Sequence, residues 1–314
     1  MRKIFIYVLV VLSIVCLFTG CKKIEEFDSS KNIIKYSRDS SSGTRDGFFT
    51  AIGYSEAKTD DTKIPGFIKA TDNANMVSLV KNDTYGIGYI SLSSLESSGL
   101  KALKFEGVEA TEDNVINGTY KLSRNFNYVK KADSDLSENE KLIVDGFISF
   151  MYSKEGLSII KSKDGILTTS ISSAQSFDDV LANNAELKAL CERDDITIEI
   201  KFGGSTSVEK IACALTEAFK KYCKPFSPIH NHTGSSAAYK GTQGSEKDGV
   251  NSMHIGFLSR ELSDSEKVSD NTSGLLCKDG IVVVVNSSNT LVADITKEQL
   301  KKIYATESIK WNEL

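Results

Sequence analysis

The sequence predicts an α/β fold with mixed, mainly parallel sheets, on three observations. Strand-like and helix-like segments alternate along the chain, which favours strands joined through crossover helices. Residues 281–285, IVVVV, are an unbroken β-branched run, as expected of a strand covered on both faces. Helices announce their starts with a hydroxyl residue followed three positions later by Glu or Gln, the pattern of a reciprocal cap.

Taken in order, KYSRDSSSGTRDGFFT (35–50) begins as a strand, runs through small donors between two arginines, and reaches Phe48-Phe49 at the start of a buried helix. YGIGYISL (85–92) is a second strand, with glycines where the backbone turns sharply or meets a neighbour. Ser137-Glu138-Asn139-Glu140 opens a helix that carries Ile143, Phe147, Phe150 and Met151 on one face. Residues 161–195 start loop-like and then form a short helix around 177–190. ITIEIKF (196–202) alternates cleanly as a half-buried strand. Thr206-Ser207-Val208-Glu209 then opens a helix with Ile211, Leu215, Phe219 and Tyr222 at helical spacing. SPIH and MHIGFL are strand-like on either side of the Gly/Ser-rich residues 234–249. Thr296-Lys297-Glu298-Gln299 opens a last helix bearing Leu300, Ile303 and Tyr304.

The 314 residues carry a formal net charge of −4 and are 40% hydrophobic, enough for one large or two medium domains. Without a basic surplus, general nucleic-acid binding is not expected. Arg2 and Lys3 precede the apolar run IFIYVLVVLSIVCLFTG, and Cys21 follows. This has the form of a secretory signal over residues 1–20, too short to favour a membrane span, although an uncleaved signal anchor is the competing reading. Phe18-Thr19-Gly20-Cys21 resembles a bacterial lipobox, with Phe18 in place of the usual leucine. It implies acylation at Cys21 and a polar tether over 21–31, placing the protein outside the cytoplasm on the outer face of the membrane. Cys191, Cys213, Cys223 and Cys277 then remain, and their spacing selects none of three pairings over free thiols. CKPFSPIHNH puts Cys223, His230 and His232 close together, but a fourth ligand at a recognised spacing is missing, so neither a metal nor a cofactor is expected.

The chemistry lies in the small-residue stretches. SRDSSSGTR, FGGSTSVEK, HTGSSAAY and IGFLSREL each offer hydroxyls beside glycine or arginine where a strand hands over to a helix. Helix starts have unpaired N–H groups and a partial positive charge, hydroxyls add donors, and arginine supplies a fork for two oxygens. Singly, such runs are usually solvated turns. The sequence contains neither a G-x-x-x-x-G-K-[ST] loop nor a G-x-S-x-G elbow, and the three histidines have no evident acid partner, so an enzyme is not expected.

Together, GGSTSVEKIACALTEAF, TGSSAA, IGFLSREL, KDGIVVVVNSSN, ITKEQLKKIYATESIKW, SRDSSSGTRDGFF, YGIGYISL, GVEATEDNVINGTYKLSRNFNYV and FISFMYSKEGLSII resemble the phosphate-binding lipoproteins of bacterial phosphate ABC transporters. The resemblance implies the two-lobed type II periplasmic-binding-protein fold. It also implies a circular permutation, because the family's GST-type segment here follows the SGT segment. Joining Leu314 to Asn32 would restore the family order, with the old termini connected through about 161–196. Lobe B is then expected from 32–90 plus 286–314 and lobe A from 91–285, with a hinge near Tyr89 and Asn286. Completion of each lobe within one chain is preferred over exchange between two chains.

The resemblance assigns Arg38, Ser42, Gly43 and Thr44 as phosphate ligands on lobe B, and Thr206, Ser207 and Ser235 on lobe A. Ser205, Ser259 and Arg260 are further candidates. Arg260 departs from the aspartate of the best-known members, which accepts a hydrogen bond from protonated phosphate and repels sulfate. The implied function is capture of inorganic phosphate between the lobes and delivery to an ABC permease with its cytoplasmic ATPase. A sulfate-binding protein, a phosphate sensor and an adhesion lipoprotein are the rival readings.

Overall fold

The computed structural model describes residues 26–314; the expected signal, Cys21 and the first part of the tether, 21–25, lie outside the described residues. The first half of the fold begins with β1 (Ile34–Arg38), α1 (Gly43–Ala51), β2 (Ile68–Ala70), α2 (Asn73–Lys81) and β3 (Gly86–Ser91). Short β4 (Lys101–Ala102), β5 (Lys104–Phe105) and α3 (Glu112–Ile116) follow. The second half contains β6 (Ser123–Lys130), α4 (Glu138–Met151), α5 (Lys154–Ser162), α6 (Phe177–Ala182) and α7 (Ala185–Glu192). It continues with β7 (Ile198–Gly204), α8 (Glu209–Phe219), β8 (Phe226–Asn231), α9 (Ser235–Thr242) and β9 (Ile255–Leu258). The chain then runs through the long β10 (Ser273–Val285) and closes the first half with β11 (Asp294–Ile295) and α10 (Lys297–Ala305). Among the described residues no helix is long and apolar enough to cross a membrane.

Local sequence explains most boundaries. The expected reciprocal caps form at Ser137/Glu140 on α4 and Thr296/Gln299 on α10. The helix expected around 177–190 is two helices, because the chain breaks at Asn183 and Asn184 caps the second by accepting from the Leu187 N–H. The start expected at Thr206 is also different: α8 begins at Glu209 behind Val208, with no side-chain cap, so the Thr206 hydroxyl is left for other work.

Strand order in the main sheet is β2-β1-β3-β10-β6-β9-β7-β8, with β4 on a branch from β10. The outer triplets β2-β1-β3 and β9-β7-β8 are parallel, as βαβ crossovers require, while β10 pairs antiparallel with both β3 and β6. The IVVVV run is covered on both faces as its composition suggests. Ile281, Val283 and Val285 pack with Phe48, Phe49 and Trp311, while Val282 and Val284 pack with Met76 and Val80 of α2.

The two lobes are joined differently from the sequence expectation. Ser273–Gly280 of β10 pair with β6, whereas Ile281–Val285 pair with β3. One strand therefore changes lobe between Gly280 and Ile281. The other crossing falls at Leu122–Ser123, because Leu103, Phe105, Val115, Tyr120 and Leu122 are buried in the same core as Phe48 and Trp311. Residues 92–122 and 281–285 thus belong with the first lobe, and the hinge lies away from Tyr89 and Asn286. A separate core holds β6–β9 and α4–α8, including Phe147, Phe150, Phe202 and Phe219. The segment 161–196 is packed against it rather than looping free. Phe177, Leu187 and Leu190 are buried, and Gly146 leaves room for Leu187, whose Cδ1 would be 2.8 Å from any Cβ there. Cys191 and Cys223 form a disulfide that ties α7 to the turn before β8, while Cys213 and Cys277 are free.

Candidate functional site

The strand-to-helix turns singled out in the sequence converge where the lobes meet. On the first lobe, β1 ends at Arg38, whose side chain is 1% exposed. Four residues later Ser42 caps α1, its Oγ accepting from the Arg45 N–H. Gly43 and Thr44 are then the first residues of the helix, with their N–H groups at its positive end. On the second lobe, β7 ends in Gly203-Gly204. Gly204 is needed there: its φ is +95° and a Cβ would strike the Phe257 carbonyl. The turn Ser205–Val208 leads into α8, Ser235 opens α9, and Ser259 follows β9.

Contacts across the gap are direct. The Arg38 Nη2 donates to Thr206 Oγ1 at 3.0 Å and to the Thr71 carbonyl at 2.9 Å. Thr44 Oγ1 and Ser207 Oγ are 2.8 Å apart. Gly43 approaches the second lobe so closely that a Cβ would overlap both Ser235 Oγ and Ser259 Oγ. Ser205 Oγ donates to Ser259 Oγ at 2.8 Å, and Ser235 Oγ lies 3.1 Å from Ser259 Oγ. Thr44, Ser205, Ser207, Ser235 and Ser259 are all buried.

Arg38 is the electrostatic centre. Its Nε and Nη1 are buried with no hydrogen-bond partner, and among the described residues no carboxylate forms an ion pair with it. Burial lowers its pKa, but a guanidinium stays protonated at any physiological pH, so the cluster holds an uncompensated buried cation. Neighbouring groups hold it in place. Tyr89 Oη accepts the Arg38 main-chain N–H at 3.1 Å, and Arg45 donates to the Arg38 carbonyl at 3.0 Å. Arg45 is itself paired with Asp61. Arg124 makes two bonds to Asp279, of 3.0 and 2.7 Å, and Ser91 Oγ donates to the same carboxylate at 2.6 Å. Arg124 and Asp279 both belong to the second lobe, and Ser91 reaches their pair from the first lobe beside the crossing of β10.

Nine of the ten expected ligand positions come together: Arg38, Ser42, Gly43, Thr44, Ser205, Thr206, Ser207, Ser235 and Ser259. Arg260 does not join them. Its guanidinium pairs with Glu266, Nη1 to Oε2 at 2.6 Å and Nη2 to Oε1 at 2.8 Å, on the wall of an open cavity of about 890 Å³. Of the hydroxyl cluster only Ser42 lines that cavity. Tyr89, Arg45 and the Thr71 carbonyl were not expected at the site. Arg45 stood in the quoted stretch, but nothing in a sequence distinguishes a bracing arginine from a binding one.

The grouping of Cys223, His230 and His232 is structural. Cys223 is in the disulfide, and His230 Nδ1 and His232 Nε2 are hydrogen-bonded at 3.1 Å. His232 Nδ1 is 3.2 Å from the Ser205 carbonyl, so its N–H supports the turn at Ser205 from behind. Burial, with His230 next to it, lowers the His232 pKa to about 4.

Comparison with known proteins fits this geometry. The chain is 32% identical over 295 residues to phosphate-binding protein PstS 2 of Streptococcus pneumoniae serotype 4, covering 91% of this chain and 89% of that one. The chain belongs to the PstS family of phosphate-binding proteins. A model of the PBP superfamily domain matches residues 175–314. The crystal structure of a phosphate-binding protein of a phosphate ABC transporter from S. pneumoniae TIGR4 superposes with a TM-score of 0.65 and 28% identity, covering 90% of this chain and 99% of that one. Phosphate-binding protein PstS of Staphylococcus saprophyticus is 30% identical over 122 residues, 37% of this chain and 36% of its own. The PstS-type chain is a binding protein of an ABC transporter, not an enzyme.

Proposed function

We propose that this PstS-type chain captures inorganic phosphate between its lobes, held to the outer face of the membrane by a lipid on Cys21, and delivers it to an ABC permease. One observation carries the ligand: the buried Arg38 guanidinium, unpaired by any carboxylate and ringed by hydroxyls from both lobes. A buried charge without a partner is costly, and a small oxyanion that fills Nε and Nη1 removes that cost. Ser42, Gly43 and Thr44 supply the α1 end of the site, while Thr206, Ser207 and Ser235 supply the opposing wall. Each bond to a charged group contributes about 1.5–3 kcal/mol, so a few of them suffice to hold the lobes together around the anion. Hinge rotation about Leu122–Ser123 and Gly280–Ile281 would open the site.

The circular order is part of this reading. Main-chain bonds from Ile33 to Ile309 and from Trp311 to Lys31 set the two ends of the fold side by side, as expected if they were once continuous. The long match to the streptococcal relative and the short one to the staphylococcal relative are what a shared order in the first and a different order in the second would produce.

Isothermal titration with inorganic phosphate tests the ligand. Wild-type chain should bind stoichiometrically and Arg38→Ala should not, with an unchanged circular dichroism spectrum. Equal affinities would rule the site out. Incorporation of labelled fatty acid, lost in Cys21→Ser, tests the anchor.

A further inference from the structure

We propose that the chain meets the bilayer with one fixed face, the end of the first lobe around Phe27 and Trp311, which leaves the second lobe as the one that swings. This rests on the lipid at Cys21 read above. The observation behind it is that most of the expected tether is docked on the fold. Phe27 is half-buried, its ring centre 5.3 Å from that of Tyr85 and 5.6 Å from that of Trp311. Asp28 closes the next turn by accepting from the Ser30 N–H and hydroxyl. Main-chain bonds then run from Asn312 to Ser29 at 2.9 Å, from Trp311 to Lys31 at 3.1 Å and from Ile33 to Ile309 at 2.8 Å, and Asn32 bridges Lys310. All of these partners belong to the first lobe, and Ile309 and Trp311 are buried in its core.

Strand polarity gives the direction. The docked segment leads into the N-terminal end of β1, and the same strand ends at Arg38, so the site lies about 20 Å farther along it. In the second lobe β7 and β9 run parallel and both finish at the site, at Gly204 and beside Ser259. Val250, 96% exposed in the turn before β9, therefore lies at the opposite end of that lobe, away from the cleft. Only Lys22–Glu25 separate Cys21 from the docked segment, and a stretch that short reaches at most about 18 Å when fully extended. A lipid on Cys21 thus keeps Phe27 close to the headgroups, and Lys22 and Lys23 suit an anionic surface. A spacer free as far as Lys31 would reach about twice as far and let the body tumble. With the first lobe held, rotation about Leu122–Ser123 and Gly280–Ile281 moves the second lobe.

The test places the full-length acylated chain in vesicles of phosphatidylglycerol and phosphatidylcholine that carry an acceptor dye on their headgroups. A donor dye is attached through Asn312→Cys or through Val250→Cys, both exposed, with the free Cys213 replaced by serine. Energy transfer from position 312 should exceed that from position 250 at least about threefold, because the strand runs alone set the two on the order of 30 Å apart along the molecule. A flexible Gly-Ser insertion of about ten residues between Glu25 and Glu26 should lower transfer from position 312 at least about twofold. Equal or reversed transfer from the two positions overturns the inference while the anchor stands, and so does transfer that the insertion leaves unchanged. A chain that fails to float with the vesicles removes the lipid at Cys21, and this inference with it.

Discussion

Gly43→Ala is the sharpest perturbation of the interlobe geometry. Gly43 begins α1 without a positive φ, so alanine suits its backbone and the effect must come from contacts. The new Cβ would overlap Ser235 Oγ and Ser259 Oγ and stand 3.2 Å from Ser235 Cβ. Turning the serine hydroxyls aside breaks the bonds among Ser205, Ser235 and Ser259, and the Ser235 Cβ still resists. Keeping those bonds instead requires the lobes to part by about 1 Å, the shortfall of the 2.3 Å Cβ–Oγ approaches from ordinary van der Waals contact. That displacement stretches Thr44–Ser207 from 2.8 Å and Arg38–Thr206 from 3.0 Å beyond hydrogen-bonding range. An anion bridging the lobes would lose the donors of one wall, one or two charge-assisted bonds of about 1.5–3 kcal/mol each, which is from about 10-fold to about 20,000-fold in Kd. Neither core contains Gly43, so thermal unfolding should stay within about 3 °C of wild type, a shift below about 1 kcal/mol. Isothermal titration and a thermal melt on the same preparation make the measurement. A Kd within threefold of wild type would refute the reasoning, since the lobes would then close around the ligand without Gly43 touching the opposite serines.

Further expectations concern Arg38, the disulfide and the histidine pair. Arg38→Lys should weaken phosphate binding by at least about tenfold in a titration, because a point charge replaces a planar fork. Cys191→Ser with Cys223→Ser should cost about 3–4 kcal/mol by the chain-entropy rule for a separation of 32 residues, read as a lower urea midpoint that reductant reproduces in wild type. His232 is held below its ordinary value of 6.5, at about 4, so its neutral form supports the fold. Its contribution is complete above pH 6.5 and is lost as pH falls towards 4. For a partly exposed ring this amounts to about 1–2 kcal/mol between pH 7 and pH 4.5, and His232→Gln should flatten that part of the urea-stability profile.

The sequence discloses this molecule unevenly, and the division follows what each feature depends on. Ser137 and Thr296 cap their helices as expected because a cap is settled within four residues. The IVVVV run was readable as a two-faced strand because burial on both sides leaves its mark on every residue. What it could not disclose is that β10 changes partners between Gly280 and Ile281, since pairing is decided by strands far away in sequence. The lobe boundary was therefore misplaced, although the β-branched part of β10 was recognised as a strand. Likewise the Cys191–Cys223 pairing depends on where α7 packs, which cysteine spacing does not encode.

Thr206 shows how a local rule and a site compete for one residue. Thr-x-x-Glu reads as a cap, yet α8 starts behind Val208 and the threonine hydroxyl meets Arg38 instead. A capping hydroxyl spends its lone pair on its own helix and is less free to meet another lobe. Ser42 does cap its own helix, whereas Ser205 and Ser235 accept the Ser207 and Ser259 N–H groups outside any helix cap. Hydroxyl-rich turns are thus visible in sequence as composition, but whether each hydroxyl gives or receives depends on the backbone of the neighbouring turn. The hydroxyl-bearing turns could be picked out in the sequence, but the place of Arg260 could not: it looked like a replacement within the site, and its pairing with Glu266 removes it from the cluster. The serines that remain bond one another, Ser205 to Ser259 and Ser259 to Ser235, so the direction of each hydroxyl is set by the cluster as a whole.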